Sequence, residues 1–256
     1  MHSFQPAARR SGRTPCFLLS SLLILITWGV NPARANEVSG TITNGKTING
    51  TLTGAGSDTY TFTVTAGTSF VVSVSETGVH DETFVPSITL TPPGSAMGHL
   101  LGRPLYTILR QSNAAEGTWS VKVDRKDLGT SAGSYALTLI QLPGAIPSGG
   151  GVTSAALSPG VASSGTNTRG KIDAWTFTGV AGQTETLTLN QTGGAGFSPE
   201  IAVVSPTGVI LGDNSCESTC SQDIFLMASG TYTVLAFRHD DNDVTGSYSL
   251  SANLKN

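Results

Sequence analysis

Residues 58–64, Asp-Thr-Tyr-Thr-Phe-Thr-Val, place Tyr60, Phe62 and Val64 at every second position, with Thr59, Thr61 and Thr63 between them. Successive side chains of a strand leave opposite faces, so this pattern predicts a half-buried strand. The same alternation returns in Trp119/Val121/Val123, Tyr135/Leu137/Leu139, Tyr232/Val234 and Tyr248/Leu250. Clusters of Gly, Pro, Asn and Asp between these stretches are turn chemistry. No stretch beyond residue 35 keeps an apolar stripe at helical spacing. Short strands separated by turns predict an antiparallel sandwich or barrel of about 100 residues per unit.

The strands come in two sets. Asp58-Thr59-Tyr60-Thr61-Phe62-Thr63 matches Asp173-Ala174-Trp175-Thr176-Phe177-Thr178, and Ala66-Gly67 matches Ala181-Gly182, at an offset of 115. Phe84-Val85-Pro86-Ser87-Ile88 matches Phe197-Ser198-Pro199-Glu200-Ile201 at an offset of 113. Gly117-Thr118-Trp119 and Gly230-Thr231-Tyr232 keep that offset, as do Gly133-Ser134-Tyr135 and Gly246-Ser247-Tyr248. A unit copied twice, with a two-residue deletion, accounts for the order of the blocks. The predicted fold is all-β, two tandem antiparallel β-sandwiches of jelly-roll-like form, at 37–142 and 151–256. Residues 143–150 join them as a Pro- and Gly-rich surface linker.

The first 35 residues read as an address rather than as structure. Arg9, Arg10 and Arg13 precede the apolar run 16–30, and Ala33-Arg34-Ala35 offers a small-x-small cleavage site. The run is short for a bilayer crossing, which takes about 20 residues. A signal peptide over 1–35 is therefore expected, with export to the periplasm or the medium and no membrane insertion after cleavage. Its loss removes four of the 14 Lys and Arg and none of the 17 Asp and Glu, leaving 10 against 17, a balance of −7. Nucleic acid is not an expected partner, since no basic stripe is available to neutralise phosphates.

Two cysteines remain, Cys216 and Cys220. In an oxidising compartment they are expected to form a local disulfide. Structural zinc is the alternative, but it takes four ligands and there is no second pair.

The order Asp-x-(Tyr/Trp)-x-Phe, Ala-Gly, Gly-Thr-(Trp/Tyr), Gly-Ser-Tyr-x-Leu resembles the bacterial pre-peptidase C-terminal domain. That family is a small β-sandwich appended to secreted peptidases, and collagen-binding domains of clostridial collagenases are similar to it. The resemblance spans both copies. It implies a non-catalytic accessory or binding protein whose partner is an extracellular protein, a secreted peptidase or an envelope polymer. Tandem copies on a flexible linker would gain avidity on an extended target.

Peptidase chemistry is not apparent in the motifs. His2, His80, His99 and His239 form no H-E-x-x-H pair, and "GSAMG" at 94–98 sets its serine one place early for a nucleophile elbow. "GTSAGSY" at 129–135 leads into a strand instead of opening a helix.

The loops hold the remaining candidates. His80-Asp81-Glu82 is the densest mixed titratable cluster, a binding candidate or the centre of an unconventional hydrolase, and "TGGAGFSP" in the second copy lacks it. Asp240, Asp241 and Asp243, with Asn242, offer the hard oxygen ligands calcium prefers, making calcium the one cofactor to consider; a solvated acidic hairpin is the plainer reading. Asp58 and Asp173 precede their strands and are expected to accept backbone N–H groups in the turn. Trp119, Tyr135, Trp175, Tyr232 and Tyr248 are expected in the core rather than on a ligand platform. A purely structural envelope protein is the third reading.

Overall fold

A computed structural model describes residues 37–77, 84–95, 99–101, 106–126, 131–147, 149–168, 170–239 and 245–255, and every regular element among them is a strand. The first half contains β1 (Ser39–Thr41), β2 (Lys46–Leu52), β3 (Asp58–Val64), β4 (Ser69–Glu76), β5 (Pro86–Thr91), β6 (His99–Leu101), β7 (Tyr106–Gln111), β8 (Gly117–Arg125) and β9 (Gly133–Leu142). The second contains β10 (Thr153–Ala156), β11 (Ser163–Asn167), β12 (Asp173–Gly179), β13 (Thr184–Gly193), β14 (Pro199–Val204), β15 (Ile210–Ser215), β16 (Thr219–Phe225), β17 (Gly230–Arg238) and β18 (Gly246–Leu254).

Each half folds as a β-sandwich. Strands β1-β3-β8-β5-β6 face β2-β9-β4-β7, and β10-β12-β17-β14-β15 face β11-β18-β13-β16. Pairing is antiparallel except at two edges, where β1 runs parallel to β3 and β10 to β12. The strand between each parallel pair, β2 or β11, lies in the opposite sheet, so the chain returns to its first sheet in its original direction.

The alternation read from the sequence fills the two interiors. Tyr60, Phe62, Trp119, Val121, Val123, Tyr135, Leu137 and Leu139 are buried together in the first. Trp175, Phe177, Tyr232, Val234, Tyr248 and Leu250 are buried together in the second. Phe70 packs edge-on to Phe62 and Trp119, with ring centroids 5.0 and 4.9 Å away. Such aromatic pairs add about 0.5–1.5 kcal/mol each beyond area burial. At the matching place in the second sandwich stands Glu185, and Phe177 stacks on Tyr232 at 5.2 Å instead.

A third core joins the halves. Val71, Ile140 and Leu142, on the outer face of β4 and β9, pack with Ile172, Ala174, Ala202, Val204, Leu235 and Phe237 on the outer face of β12, β14 and β17. Strands β4 and β14 are accordingly buried on both faces. The counterparts of these residues are polar. Val71, Ile140 and Leu142 align with Thr186, Asn253 and Lys255, while Leu235 and Phe237 align with Lys122 and Asp124. Each copy thus carries one adhesive outer face and one wettable one.

Residues 143–147 and 149–150 lie against the first sandwich and the joining core. Gly150 O accepts from Thr47 N at 2.6 Å, Ala145 O from Asn44 Nδ2 at 3.3 Å, and Gly151 bridges Lys46. Val152 is buried in the joining core and Ile146 packs against it. The glycines that read as looseness let the backbone lie against β2.

Candidate functional site

The first copy's Asp58 carboxylate is fully buried at the start of β3. Its Oδ2 accepts from the Tyr135 hydroxyl at 2.5 Å, and the Tyr60 and Tyr135 hydroxyls lie 2.9 Å apart. Because the Tyr135 proton is committed to Asp58, Tyr60 donates to Tyr135, giving a one-way chain Tyr60 → Tyr135 → Asp58. Asp58 Oδ1 accepts from Val38 N at 2.8 Å. The donor, Val38, leads into the neighbouring strand β1 and does not belong to the turn next to Asp58, where the sequence placed it.

The second copy rebuilds this chain with different parts. Trp175 Nε1 donates to the Tyr248 hydroxyl at 2.9 Å, which donates to Asp173 Oδ2 at 2.7 Å. Indole N–H only donates, so the direction is fixed. At Asp173 Oδ1 the Lys171 ammonium stands 3.0 Å away, taking the role of the Val38 N–H. Burial foremost, and then the neighbouring Asp, push the Tyr135 and Tyr248 hydroxyls far above the ordinary tyrosine range. The shift favours the protonated phenol, the form a hydrogen-bond donor needs.

Repeated glycines make room for these rings. Gly50 is in register with Tyr135 and Gly165 with Tyr248, and a Cβ at either would overlap the ring. Phe84 covers Gly133 and Phe197 covers Gly246 in the same manner. Two buried arginines complete this end of the sandwiches, Arg125 at the end of β8 and Arg238 at the end of β17. Arg125 donates through a terminal nitrogen to Gly56 O at 2.7 Å and through Nε to Ser131 O, tying down the loops that enter β3 and β9. The glycine pair repeats at offset 115 and the arginine pair at 113, so the repeat itself was the signal that could have found them.

The sequence candidates divide as follows. His80, Asp81 and Glu82 lie outside the described residues, as do Asp240, Asp241 and Asp243. Their flanks are anchored at the Asp–Tyr end of each sandwich. Thr77 N donates to Ser134 O at 2.9 Å and Phe84 sits on Gly133 beside the first loop. His239 N donates to Ser198 O at 2.8 Å beside the second. Cys216 and Cys220 stand at disulfide distance, with Cα atoms 5.5 Å apart. Trp119, Tyr135, Trp175, Tyr232 and Tyr248 are all buried.

Around Asp173 a cleft of about 410 Å³ opens, lined by Ser164, Thr166, Lys171, Thr192, Ser247 and Tyr248 among others. Its hydroxyls and its Lys171–Asp173 pair can hold a polar ligand. A second polar cluster clamps the halves. Arg110 pairs with Glu200, and with Asp213 at 2.5 Å, while His239 Nδ1 lies 3.0 Å from the other Glu200 oxygen. The Arg110 guanidinium also lies over the Phe237 ring, 5.1 Å from its centroid. Burial works against its charge, but Glu200 and Asp213 together outweigh that and raise its pKa.

No family model and no curated protein sequence matches the chain. Among solved structures it is similar to the pre-peptidase C-terminal domain of collagenase from Bacillus anthracis. That match has 21% identity, covers 40% of this chain and 95% of that one, and has a TM-score of 0.31. It is also similar to PliG of Aeromonas hydrophila, a periplasmic inhibitor of g-type lysozyme, at 13% identity over 41% of this chain and 97% of that one, TM-score 0.34. PliG of Salmonella Typhimurium matches at 19% identity over 41% and 99%, TM-score 0.32.

Proposed function

We propose that this is an exported, non-catalytic accessory protein whose two pre-peptidase-C-terminal-like sandwiches act together in binding an extracellular protein or an envelope polymer. The observation that carries this reading is the joining core with its Arg110 clamp. It holds two sandwiches in one orientation, so their loops and sheet faces form a single fixed surface. Preorganisation of that kind reduces the ordering cost of binding, and it replaces the flexible avidity that the linker composition suggested. The repeated motif residues support the reading too, because Asp58, Tyr135, Asp173 and Tyr248 serve the scaffold.

Calcium belongs to this proposal only through Asp240, Asp241 and Asp243, and its support is ligand type alone. Calorimetric titration with calcium should give a saturable heat that Asp241→Ala plus Asp243→Ala abolishes. Zero heat for both proteins removes calcium.

The functional test is co-sedimentation of the purified protein with peptidoglycan sacculi, together with retention on immobilised gelatin and on proteins of the culture supernatant. Saturable retention on one of these, without turnover of casein, gelatin or ester substrates, is expected. Turnover that disappears in His80→Ala would establish the hydrolase reading instead. Retention on none would leave a structural envelope protein.

A further inference from the structure

Where the joining core ends on the second sandwich, a groove of about 550 Å³ begins. Its floor is one face of three adjacent strands, with Ser154 on β10, Thr176 on β12, and Thr231 and Thr233 on β17. Thr176 and Thr233 are direct cross-strand partners, and Thr233 lies two residues before Leu235 of the joining core. Pro143, Ala145, Ile146 and Pro206 line the rest of it.

Three properties of this groove define what fits it. First, no charged side chain lines it, which disfavours an ionic ligand. Second, the four floor hydroxyls open on the groove without a hydrogen bond to another described protein group, Ser154 and Thr231 being exposed and Thr176 half-buried. Hydroxyls held open in this way are available to pair with a ligand's own hydroxyls. Third, hydroxyls both donate and accept, and the proline and isoleucine lining is apolar. Sugars present the same combination of two-way hydroxyls and C–H faces. An extended peptide would instead pair along the outer edge of β10, beside the groove rather than across its floor.

The geometry points to a binding site for a neutral oligosaccharide in the groove between residues 143–146 and the β10-β12-β17 face. This inference rests on the binding-protein reading and gives it a ligand class. The first sandwich supplies an internal control. Ser39, Thr61, Thr118 and Ser120 occupy the matching floor positions on the first sandwich.

The experiment is calorimetric titration of the full protein with cellotetraose, maltotetraose and chitotetraose, and with the neutral peptide acetyl-(Gly-Ser)4-amide. At least one oligosaccharide should bind saturably. Thr176→Val plus Thr233→Val should weaken it about tenfold, the loss of two hydrogen bonds, without lowering the melting temperature. Ala145→Trp should block it by filling the groove, while Thr61→Val plus Ser120→Ala should leave it unchanged. The inference is overturned if none of the three sugars binds, if the first-sandwich variant weakens binding as much, or if only the peptide binds. Retention on gelatin or another protein without sugar binding would defeat this inference alone, leaving the binding-protein reading in place.

Discussion

Tyr135 donates its hydroxyl to Asp58 at 2.5 Å across 77 residues of sequence, and Tyr248 does the same to Asp173 at 2.7 Å. The motif's most recognisable residues therefore hold β3 to β9 and β12 to β18, strands of opposite sheets. Removing the donor strands a buried carboxylate. Tyr135→Phe should cost about 1.5–3 kcal/mol, the range for hydrogen bonds to charged groups, whereas Tyr60→Phe, at the outer end of the chain, should cost about 1 kcal/mol. Urea unfolding of the two variants checks the order, and equal costs would contradict it.

Alkaline pH should reach the same bonds. Burial raises the Tyr135 and Tyr248 pKa values in the fold, so the folded state holds protons that an unfolded tyrosine releases near pH 10. The stability these groups contribute is complete below about pH 10 and is lost as pH rises beyond it, toward their folded pKa values. Urea midpoints measured from pH 8 to 11 should fall above 10, less steeply in Tyr135→Phe plus Tyr248→Phe. Tyrosinate absorbance of these two residues should appear only with unfolding.

Gly50→Ala and Gly165→Ala should each destabilise by about 1–3 kcal/mol, the usual cost of overpacking, because the added methyl meets the Tyr135 or Tyr248 ring. Gly54→Ala is the contrast: nothing lies near its Cβ position, and only the left-handed φ of 59° opposes the change. The two ring-facing variants should therefore also perturb near-ultraviolet tyrosine dichroism, which Gly54→Ala should leave alone.

Arg110→Ala should cost about 2–3 kcal/mol, because it takes the guanidinium from the buried Glu200, leaving His239 Nδ1 beside the other carboxylate oxygen, and uncovers Phe237. The exposed Asp213 contributes little to this, being more than half open to solvent. Adding Glu200→Gln should recover part of the loss, since the stranded charge goes with it. A double-mutant cycle by thermal unfolding reads the coupling, and additive losses would contradict the clamp.

How much of this was legible varied with the number of faces a strand buries. Strands β3, β8 and β18 bury one face, so Tyr60/Phe62, Trp119/Val121 and Tyr248/Leu250 betray them by alternation. Strands β4 and β14 bury both, which erases the period of two, and with it the sign that a second surface was covered. The joining core was present as off-phase residues, Leu235 and Phe237 alternating with Val234 and Ala236, whose counterparts Lys122 and Asp124 are charged. Only comparison of the copies separates such an interface from a merely apolar strand. Arg125 and Arg238 escaped because an arginine at a strand end is ordinarily solvated, and the burial of Arg125 depends on a carbonyl 69 residues away, that of Gly56. The linker misled for a related reason: glycine permits looseness and close packing alike, and the β2 edge beside it decides which.

The claim on which the account turns is that the two sandwiches present one fixed surface, and ¹⁵N relaxation of the purified protein tests it most directly. Strands of both halves should report a single rotational correlation time, that of one body, and Arg110→Ala combined with Phe237→Asp should split it into two shorter ones. Two separate short correlation times in the unmodified protein, one for each half, would contradict the account.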